Sequence, residues 1–330
     1  MTKPFLLLFL LVAASASGCI ELPGTGGDDN GDGGDAAGTG DELVPADGAP
    51  GDDEGPRAVD PSFNGTDGGA PGPAENVTSV GNWTWPDLGA ASIRPGVQVV
   101  AAGAQCTSNF VFHDPLNTTL YIGVAAHCVA DGAQDNVDGC DRSNRPLELG
   151  LKGDVDGASG KATLVYSSWE TMQRVNETNA AACRYNDFAL FELDAGDLGK
   201  AHPAMLTFGG PTGMAGSVGL GSKVLTYGNT NLRPGPAALD AREGYVIETG
   251  GSGWTHTVYT ALPGVPGDSG SAVTTGDGKA LGVLSTVTLY PLAASNGISD
   301  LGKILAYARD VGGFDARLAT WEQLDDGLLP

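Results

Sequence analysis

The sequence predicts an all-β fold that ends in a single helix. Short runs rich in Val, Tyr, Thr and Phe are separated by Gly, Pro, Asn and Asp, which is the pattern of strands joined by turns. A helical apolar period occurs near the end of the chain, after Ser299 and Asp300 as its N-terminal cap. Many short strands with few helices are typical of a barrel or a sandwich.

The strand pattern occurs in residues 97–101, 110–112, 121–125, 162–166, 188–193, 223–227, 244–248, 257–260, 272–274 and 280–287. The apolar face of the helix consists of Leu301, Ile304, Leu305, Ala308 and Val311. All these elements fall within residues 89–330, a length that can bury one sizeable core. We therefore expect one folded domain over residues 89–330.

The first 18 residues have the organisation of a signal peptide. Lys3 is followed by an apolar run over residues 5–16, which is too short to span a bilayer comfortably. The motif Ala16-Ser17-Gly18-Cys19 resembles a lipoprotein lipobox, although Leu is commoner where Ala16 stands. The resemblance implies a Sec-exported lipoprotein, held by lipid on Cys19 at the extracellular face of the cell membrane. The alternative is an ordinary signal peptide, which would leave Cys19 as a free thiol.

Residues 19–88 have the composition of a disordered acidic tether. Residues 21–87 are mostly Gly, Asp, Pro, Ala and Thr, and 15 acidic residues face a single basic one, Arg57. Few large apolar side chains are present there to offset the entropy of ordering. The formal net charge of the whole chain is −23, which disfavours nucleic acid as a partner. An excess of acids over lysines resembles halophilic archaeal proteins; the alternative is an ordinary acidic exoprotein.

Candidate glycosylation sites are the Asn-x-Thr triplets of the chain. Three lie on the tether, at Asn64, Asn76 and Asn82, and two lie in expected surface loops, at Asn117 and Asn176. Such triplets also occur by chance, but a cluster on the tether is typical of a cell-surface stalk.

With Cys19 assigned to lipid, the remaining cysteines are Cys106, Cys128, Cys140 and Cys183. An even set in an exported chain indicates disulfides, and this spacing matches no zinc pattern. We expect two disulfides and no metal site. Their pairing is left open by the spacing alone.

Three local motifs carry residues suited to nucleophilic catalysis. Ser269 lies in Pro266-Gly-Asp-Ser-Gly-Ser-Ala272, where the glycines leave its hydroxyl accessible and let backbone N–H groups converge. His127 follows two alanines at the end of an apolar run, and Asp187 begins the run 188–193. Each of the first two motifs also has a purely structural interpretation: the serine motif as a Gly/Ser-rich turn, and His127 as a core histidine.

Other residues of the same types are weaker candidates. Asp194 is the rival of Asp187, but it begins a loop, where we expect it to be solvated. His113, His202 and His256 are expected to be core or surface histidines.

The order His, Asp, Ser, each in its own context, resembles the chymotrypsin-like (trypsin-fold) serine peptidases over residues 95–314. The residues after the serine, Gly270-Ser271-Ala272, are nearer to the streptogrisin-like prokaryotic branch. The resemblance implies two antiparallel six-stranded Greek-key barrels followed by a C-terminal helix. It also implies the disulfide Cys106–Cys128, which leaves Cys140–Cys183 as the second pair.

The resemblance assigns a role to each motif. Ser269 would be the nucleophile, His127 the general base and Asp187 the acid that orients the imidazole. The N–H groups of Gly267 and Ser269 would form the oxyanion hole.

The implied substrate-binding residues are Pro263, Ser285, Thr286 and Val287. Ser285 would also support Asp187, and the backbone of 285–287 would pair with an extended peptide. Pro263 stands where trypsin-like enzymes carry an acid, and Val287 stands where many relatives have Gly. We therefore expect a preference for small or medium apolar P1 residues.

Together these features predict a membrane-anchored, exported serine endopeptidase that acts as a monomer on peptides or proteins, without a cofactor. The alternative is a trypsin-fold surface binding protein that has lost turnover, although all three residues of the implied triad are intact. An α/β-hydrolase esterase is disfavoured, because the serine motif lacks the Gly-x-Ser-x-Gly spacing. No Ile-Val-Gly-Gly start occurs near Ala90, which speaks against activation by a newly freed N-terminus.

Overall fold

The computed structural model describes residues 20–21, 83–131, 137–233, 235, 239–288 and 292–324. The proposed signal peptide, Cys19 and the sequons at Asn64, Asn76 and Asn82 lie outside these residues. None of the helices in the described ranges is long and apolar enough to cross a membrane.

The described residues form short strands and a few helices. In chain order the strands are β1 (Ile20–Glu21), β2 (Gln98–Ala101), β3 (Ala104–Thr107), β4 (Val111–His113), β5 (Leu120–Val124), β6 (Ala130–Asp131), β7 (Arg145–Pro146), β8 (Lys152–Val155), β9 (Lys161–Ser167), β10 (Ala189–Glu192), β11 (Lys223–Tyr227), β12 (Ala241–Gly250), β13 (Thr255–Thr260), β14 (Ala272–Thr275), β15 (Ala280–Thr288), β16 (Ser295–Asp300) and β17 (Arg317–Leu318). The α-helices are α1 (Ser168–Val175), α2 (Ala180–Tyr185) and α3 (Leu301–Asp310), and single 3₁₀ turns span Ala126–Val129, Leu198–Lys200 and Gly251–Gly253.

The first sheet is antiparallel and has eight strands in the order β17-β4-β5-β10-β9-β8-β2-β3. Its central strand β5 is buried along its whole length, because it lies between β4 and β10 and has apolar neighbours on both faces. Val111, Ile122, Leu164 and Phe191 are fully buried in its core. A fully buried side chain of this size contributes about 1.5–3 kcal/mol of transfer free energy.

The second sheet closes into a barrel of six strands, β15-β14-β11-β12-β13-β16, because β15 also pairs with β16. Its interior is filled by one fully buried side chain from each of five strands: Val224, Val246, Val258, Val273 and Ile298. The two-residue strand β1 joins β15 in parallel, with Ile20 opposite Val287.

Helix α3 follows β16 without a loop, since Asp300 both ends the strand and caps the helix. Its carboxylate accepts the N–H of Lys303 at 2.9 Å, which satisfies one of the free donors of the first turn. Leu301, Ile304 and Ala308 bury the apolar face of α3 in a cluster that also includes side chains from both sheets.

The predicted fold class is confirmed, and each predicted run overlaps a strand. The structure adds elements that the pattern did not show, among them β3, β8, β16, α1 and α2. Helix α1 is only eight residues long, so it shows its apolar periodicity over little more than two turns. Its two ends, however, have clear capping residues. The hydroxyl of Ser167 accepts the N–H of Glu170, and Asn176 ends the helix with a left-handed φ of 54°.

Candidate active site

The carboxylate of Asp187 is fully buried and accepts three hydrogen bonds from two residues. Oδ1 accepts the backbone N–H of His127 at 2.9 Å, and Oδ2 contacts Nδ1 of the same imidazole at 2.7 Å. The hydroxyl of Ser285 donates to Oδ2 at 2.5 Å. These bonds replace the hydration that the carboxylate loses on burial.

The position of His127 is set by the 3₁₀ turn Ala126–Val129 that follows β5. Ala125 and Ala126 are fully buried and small, so the backbone turns tightly and brings the imidazole over Asp187. A carboxylate can only accept, so Nδ1 carries the proton of this hydrogen bond. In the neutral imidazole Nε2 is then left with its lone pair.

Burial and charge act in opposite directions on the His127–Asp187 pair. Burial alone lowers the pKa of His127, but the charge of Asp187 and the hydrogen bond outweigh it, and the pKa is raised above 6.5. Burial likewise raises the pKa of Asp187, but the charge of His127 and the hydrogen bonds from His127 and Ser285 bring it below 3.8. The pair therefore favours an ionised acid beside a more basic imidazole.

Ser269 is presented by a tight loop between β13 and β14. Gly267 and Gly270 have φ values of 92° and 89°, in the left-handed region that glycine adopts without strain. A Cβ at Gly270 would lie 2.4 Å from the carbonyl oxygen of Thr107, so no larger residue fits there. Ser269 is partly exposed and lines the same cleft as His127.

This cleft has a volume of about 490 Å³. Besides His127 and Ser269, its lining includes Gly267 and both cysteines of the disulfide Cys106–Cys128. The cleft is therefore bordered by the residues that the sequence assigned to the base, the nucleophile and the oxyanion hole.

The backbone of the serine loop exposes two amide groups. The N–H of Asp268 is used internally, since it donates to the carbonyl of Val265 at 2.8 Å. Within the described part of the chain, the N–H groups of Gly267 and Ser269 donate to no protein acceptor. They are the donors available to a negatively charged oxygen at this loop.

The side chain of Asp268 holds the same loop from behind. It is fully buried and forms ion pairs with Arg233 at 2.6 Å and Arg242 at 3.0 Å. Its Oδ2 also accepts the N–H of Val265 at 3.0 Å. Arg233 pairs in addition with Asp240 at 3.2 Å, so two acids and two bases compensate each other in charge.

The predicted substrate-binding residues lie apart from the cleft lining. Ser285 is at an irregularity of β15, where the register with β16 shifts between Leu284 and Thr286. The shift turns the Ser285 hydroxyl towards Asp187. The carbonyl of Pro263 accepts Nη2 of Arg233 at 3.3 Å, and Val287 pairs with Asn296 and Ile20.

Asn296, which the sequence did not indicate, connects two segments that carry predicted substrate-binding residues. Its buried side chain joins the segment after Pro263 to β15: Oδ1 accepts the N–H of Gly264 at 2.8 Å. Nδ2 donates to the carbonyls of Gly264 at 3.3 Å and Thr286 at 3.1 Å. An isolated Asn in a polar run carries no local signal, because its partners are distant in the chain.

Both expected disulfides are present, Cys106–Cys128 and Cys140–Cys183. The sulfurs of the first pair and a ring nitrogen of His127 lie within 4.8 Å of one another. Thiolates bind metals, but these sulfurs are bonded to each other, so the group does not offer a thiolate set.

The remaining candidates have structural settings. Asn117 lies in a turn, and exposed Asn176 accepts Nη2 of Arg142 at 2.6 Å. Asp194 is exposed, as expected. The other histidines are buried and bonded: His113 to the carbonyl of Asp114, His202 to the N–H of Ala204, and His256 to Thr249 and Asp300.

The described residues form an eight-stranded antiparallel sheet, a closed six-stranded barrel and a C-terminal helix, an arrangement in the all-β class that the sequence predicted. No protein-family model matches the chain, and no curated protein sequence matches it.

Among solved structures the chain is similar to Thermobifida fusca protease A, with 16% identity over 70% of this chain and 100% of that one and a TM-score of 0.42. It is also similar to the Nocardiopsis protease NAPase, with 16% identity over 70% of this chain and 100% of that one and a TM-score of 0.43. For Cellulomonas bogoriensis chymotrypsin the identity is 17% over 69% of this chain and 99% of that one, and the TM-score is 0.41. Identities this low carry no information on individual catalytic residues.

Proposed function

We propose that this protein is a serine endopeptidase that uses Ser269, His127 and Asp187. The observation that carries the proposal is the buried pair of Asp187 and His127, whose imidazole lines one cleft with Ser269. A carboxylate that is desolvated and bonded to both the backbone and the ring of one histidine fixes the tautomer that a general base needs.

The reaction would proceed through an acyl-enzyme. Ser269 Oγ attacks the peptide carbonyl carbon while its proton passes to Nε2 of His127, and the carbonyl π electrons move onto the oxygen. Asp187 stabilises the imidazolium that forms. The C–N bond then breaks, and the leaving amine takes the proton from Nε2. Water repeats the sequence with the acyl group and releases Ser269.

The N–H groups of Gly267 and Ser269 would stabilise the tetrahedral oxyanion. Donors aimed at the developing charge are preorganised by the protein, and loss of one typically costs about 10²–10³ in rate. The two ion pairs of Asp268 support this arrangement, because they hold the loop without help from a freed N-terminus.

For P1 specificity we propose small residues. Asn296 ties Gly264 to Thr286 across the region where a P1 side chain would enter, and both of its amide hydrogens are used in doing so. No acid stands at Pro263 to attract Lys or Arg. The proposed P1 range is therefore narrower than the one expected from the sequence, which included medium-sized apolar residues.

Export, lipid anchoring on Cys19 and glycosylation remain proposals that rest on the sequence motifs. So does a monomeric state. They are consistent with disulfides, which form in oxidising compartments outside the cytoplasm.

The test is labelling of the full-length chain with a fluorophosphonate, followed by peptide mass spectrometry. We expect an adduct on Ser269 that is absent from Ser269→Ala and strongly reduced in His127→Ala. Ser143→Ala, in an exposed turn, is the matched control and should label normally. A folded, fully oxidised wild type without an adduct would instead support the alternative, a binding protein without turnover.

A further inference from the structure

The orientation of the two free amides near Ser269 depends on the carbonyls of the same peptide units. In a trans peptide the C=O and the N–H point in opposite directions. A partner that holds the carbonyl of Pro266 therefore also fixes where the N–H of Gly267 points. The carbonyl of Asp268 stands in the same relation to the N–H of Ser269.

Thr230 holds the first of these peptide units. Its hydroxyl donates to the carbonyl of Pro266 at 2.6 Å, and it accepts the N–H of Leu232 at 3.1 Å. The second bond leaves the hydroxyl proton directed at Pro266. Thr230 is only 6% exposed, so water competes little for this proton.

Ser271 holds the second peptide unit. Its hydroxyl donates to the carbonyl of Asp268 at 2.5 Å, and its N–H donates to the same oxygen at 3.0 Å. This carbonyl thus keeps one protein donor even if the hydroxyl is removed. The carbonyl of Pro266 has Thr230 as its one donor within the described residues.

The backbone at Gly267 makes such a restraint necessary. A positive φ of 92° is accessible only because this residue lacks a Cβ, and glycine also rotates freely into other conformations. Rotation of the peptide 266–267 would turn the Pro266 carbonyl towards the cleft and the N–H away from it. A carbonyl dipole in that orientation would repel an oxyanion.

We infer that Thr230 is a positioning residue, which fixes the N–H of Gly267 in the orientation that stabilises the oxyanion, and that Ser271 does the same, less critically, for Ser269. This inference rests on the proposed function and deepens it. It predicts a defect that appears in the transition state and is small in substrate binding.

The test is a kinetic comparison of Thr230→Val and Thr230→Ser with the wild type, on a peptide ester or amide. Valine keeps the shape and removes the hydroxyl, and we expect kcat to fall about tenfold, as for loss of one hydrogen bond, with KM within about twofold. Serine keeps the hydroxyl and should restore most of kcat. Ser271→Ala should lose less than Thr230→Val.

A peptide aldehyde, which forms an oxyanion on the enzyme, separates positioning from general structure. Its Ki should rise in parallel with the loss of kcat, while binding of the corresponding peptide alcohol, which forms no oxyanion, should be unchanged. Thr212→Val is the matched control, because the Thr212 hydroxyl also donates to a backbone carbonyl, that of Asp277 at 3.2 Å, away from the cleft.

The outcomes are distinct. A folded Thr230→Val enzyme with wild-type kcat and aldehyde affinity, or a loss seen only in KM, would overturn the inference and leave the proposed function intact. A wild type that forms no fluorophosphonate adduct would overturn both. If Thr230→Val does not fold, an undiminished kcat in Thr230→Ala would also count against the inference.

Discussion

Arg242 and Asp268 form an ion pair that is buried on both sides. Nη1 lies 3.0 Å from Oδ2, and the two side chains are 1% and 0% exposed. Burying such a pair costs desolvation free energy. Removing one partner destabilises the fold further, because the other charge then remains buried without compensation. Arg233, which also pairs with Asp268, is more accessible at 12%.

We predict that Arg242→Met destabilises the fold by about 3–5 kcal/mol and lowers fluorophosphonate labelling of Ser269, because Asp268 is left with only Arg233. Denaturant unfolding and labelling rates measure the two effects. Arg309→Ala is the control: Arg309 pairs with Asp310 at 2.7 Å but is more than half exposed, so its loss should leave the free energy of unfolding nearly unchanged. Equal effects of the two changes would contradict the prediction.

Asp187→Asn should lower kcat by about 10⁴-fold without unfolding the protein. The reason is that the amide of Asn can donate to Nδ1, which favours the tautomer with its proton on Nε2, whereas the carboxylate of Asp187 only accepts from Nδ1. The pKa of His127 should also fall, because the charge and hydrogen bond that raise it are lost and burial remains. NMR titration of the imidazole measures this. A pKa that stays above 6.5 would show that Asp187 is not its cause.

As pH rises through the pKa of His127, activity should increase, whereas the contribution of His127 to stability should decrease. The base must be neutral, so kcat/KM should rise with pH through a pKa above 6.5. The contribution of His127 to stability is complete below its unfolded pKa, near 6.5, and is lost as pH rises through the higher folded pKa. An acid limb at or below 6.5 would argue against this assignment.

The contribution of Asp187 to stability has the opposite sign. The folded pKa is lowered, so the contribution is present above the unfolded pKa of about 3.9 and is lost as pH falls through the folded value. Unfolding free energies of the wild type and Asp187→Asn, measured from neutral to acidic pH, should therefore converge at the acidic end.

Asn296→Ala should widen the acceptance of P1 side chains, because it removes the amide that joins Gly264 to Thr286. We expect kcat/KM for a Leu or Phe P1 peptide to rise at least tenfold relative to an Ala peptide, the scale of a few methylene groups in a pocket. An unchanged ratio in an enzyme that still labels with fluorophosphonate would exclude Asn296 as the determinant.

Removal of the disulfide Cys140–Cys183 in the double alanine variant should destabilise the fold by about 4 kcal/mol, because the bond closes a 43-residue separation in the unfolded chain. The free energy of unfolding in denaturant tests this. Labelling of Ser269 should persist under native conditions. A loss below about 1 kcal/mol would mean that the denatured chain is already compact around this link.

The sequence indicated the strands and the three candidate catalytic residues because their signals are local. His127, Asp187 and Ser269 each stand in a short motif, and order along the chain linked them. Strand β16 was missed because Ser295-Asn-Gly-Ile-Ser-Asp300 is polar, yet its first five residues are buried. Asn296, for example, is buried because its amide bonds to Gly264 and Thr286, so burial in this strand does not follow the apolar pattern.

Arg242, Thr230 and Asn296 were missed for a related reason. Each meets a partner 26 to 36 residues further along or back in the chain. A threonine, an arginine or an asparagine alone has no spacing pattern that identifies such a partner. The closed barrel brings Thr230, Arg242 and β16 against the segment before Ser269.

Asp187 and Ser285 are hydrogen-bonded to each other, although Asp187 precedes β10 of the first sheet and Ser285 lies in β15 of the second. Likewise, His127 follows β5 of the first sheet and Ser269 precedes β14 of the second. On the proposed mechanism, neither half of the molecule holds a working set of groups. A chain divided in the connection between Ala201 and Ser222 would then give two silent fragments. Peptide cleavage would return only when they associate, so turnover would serve as a direct readout of that association.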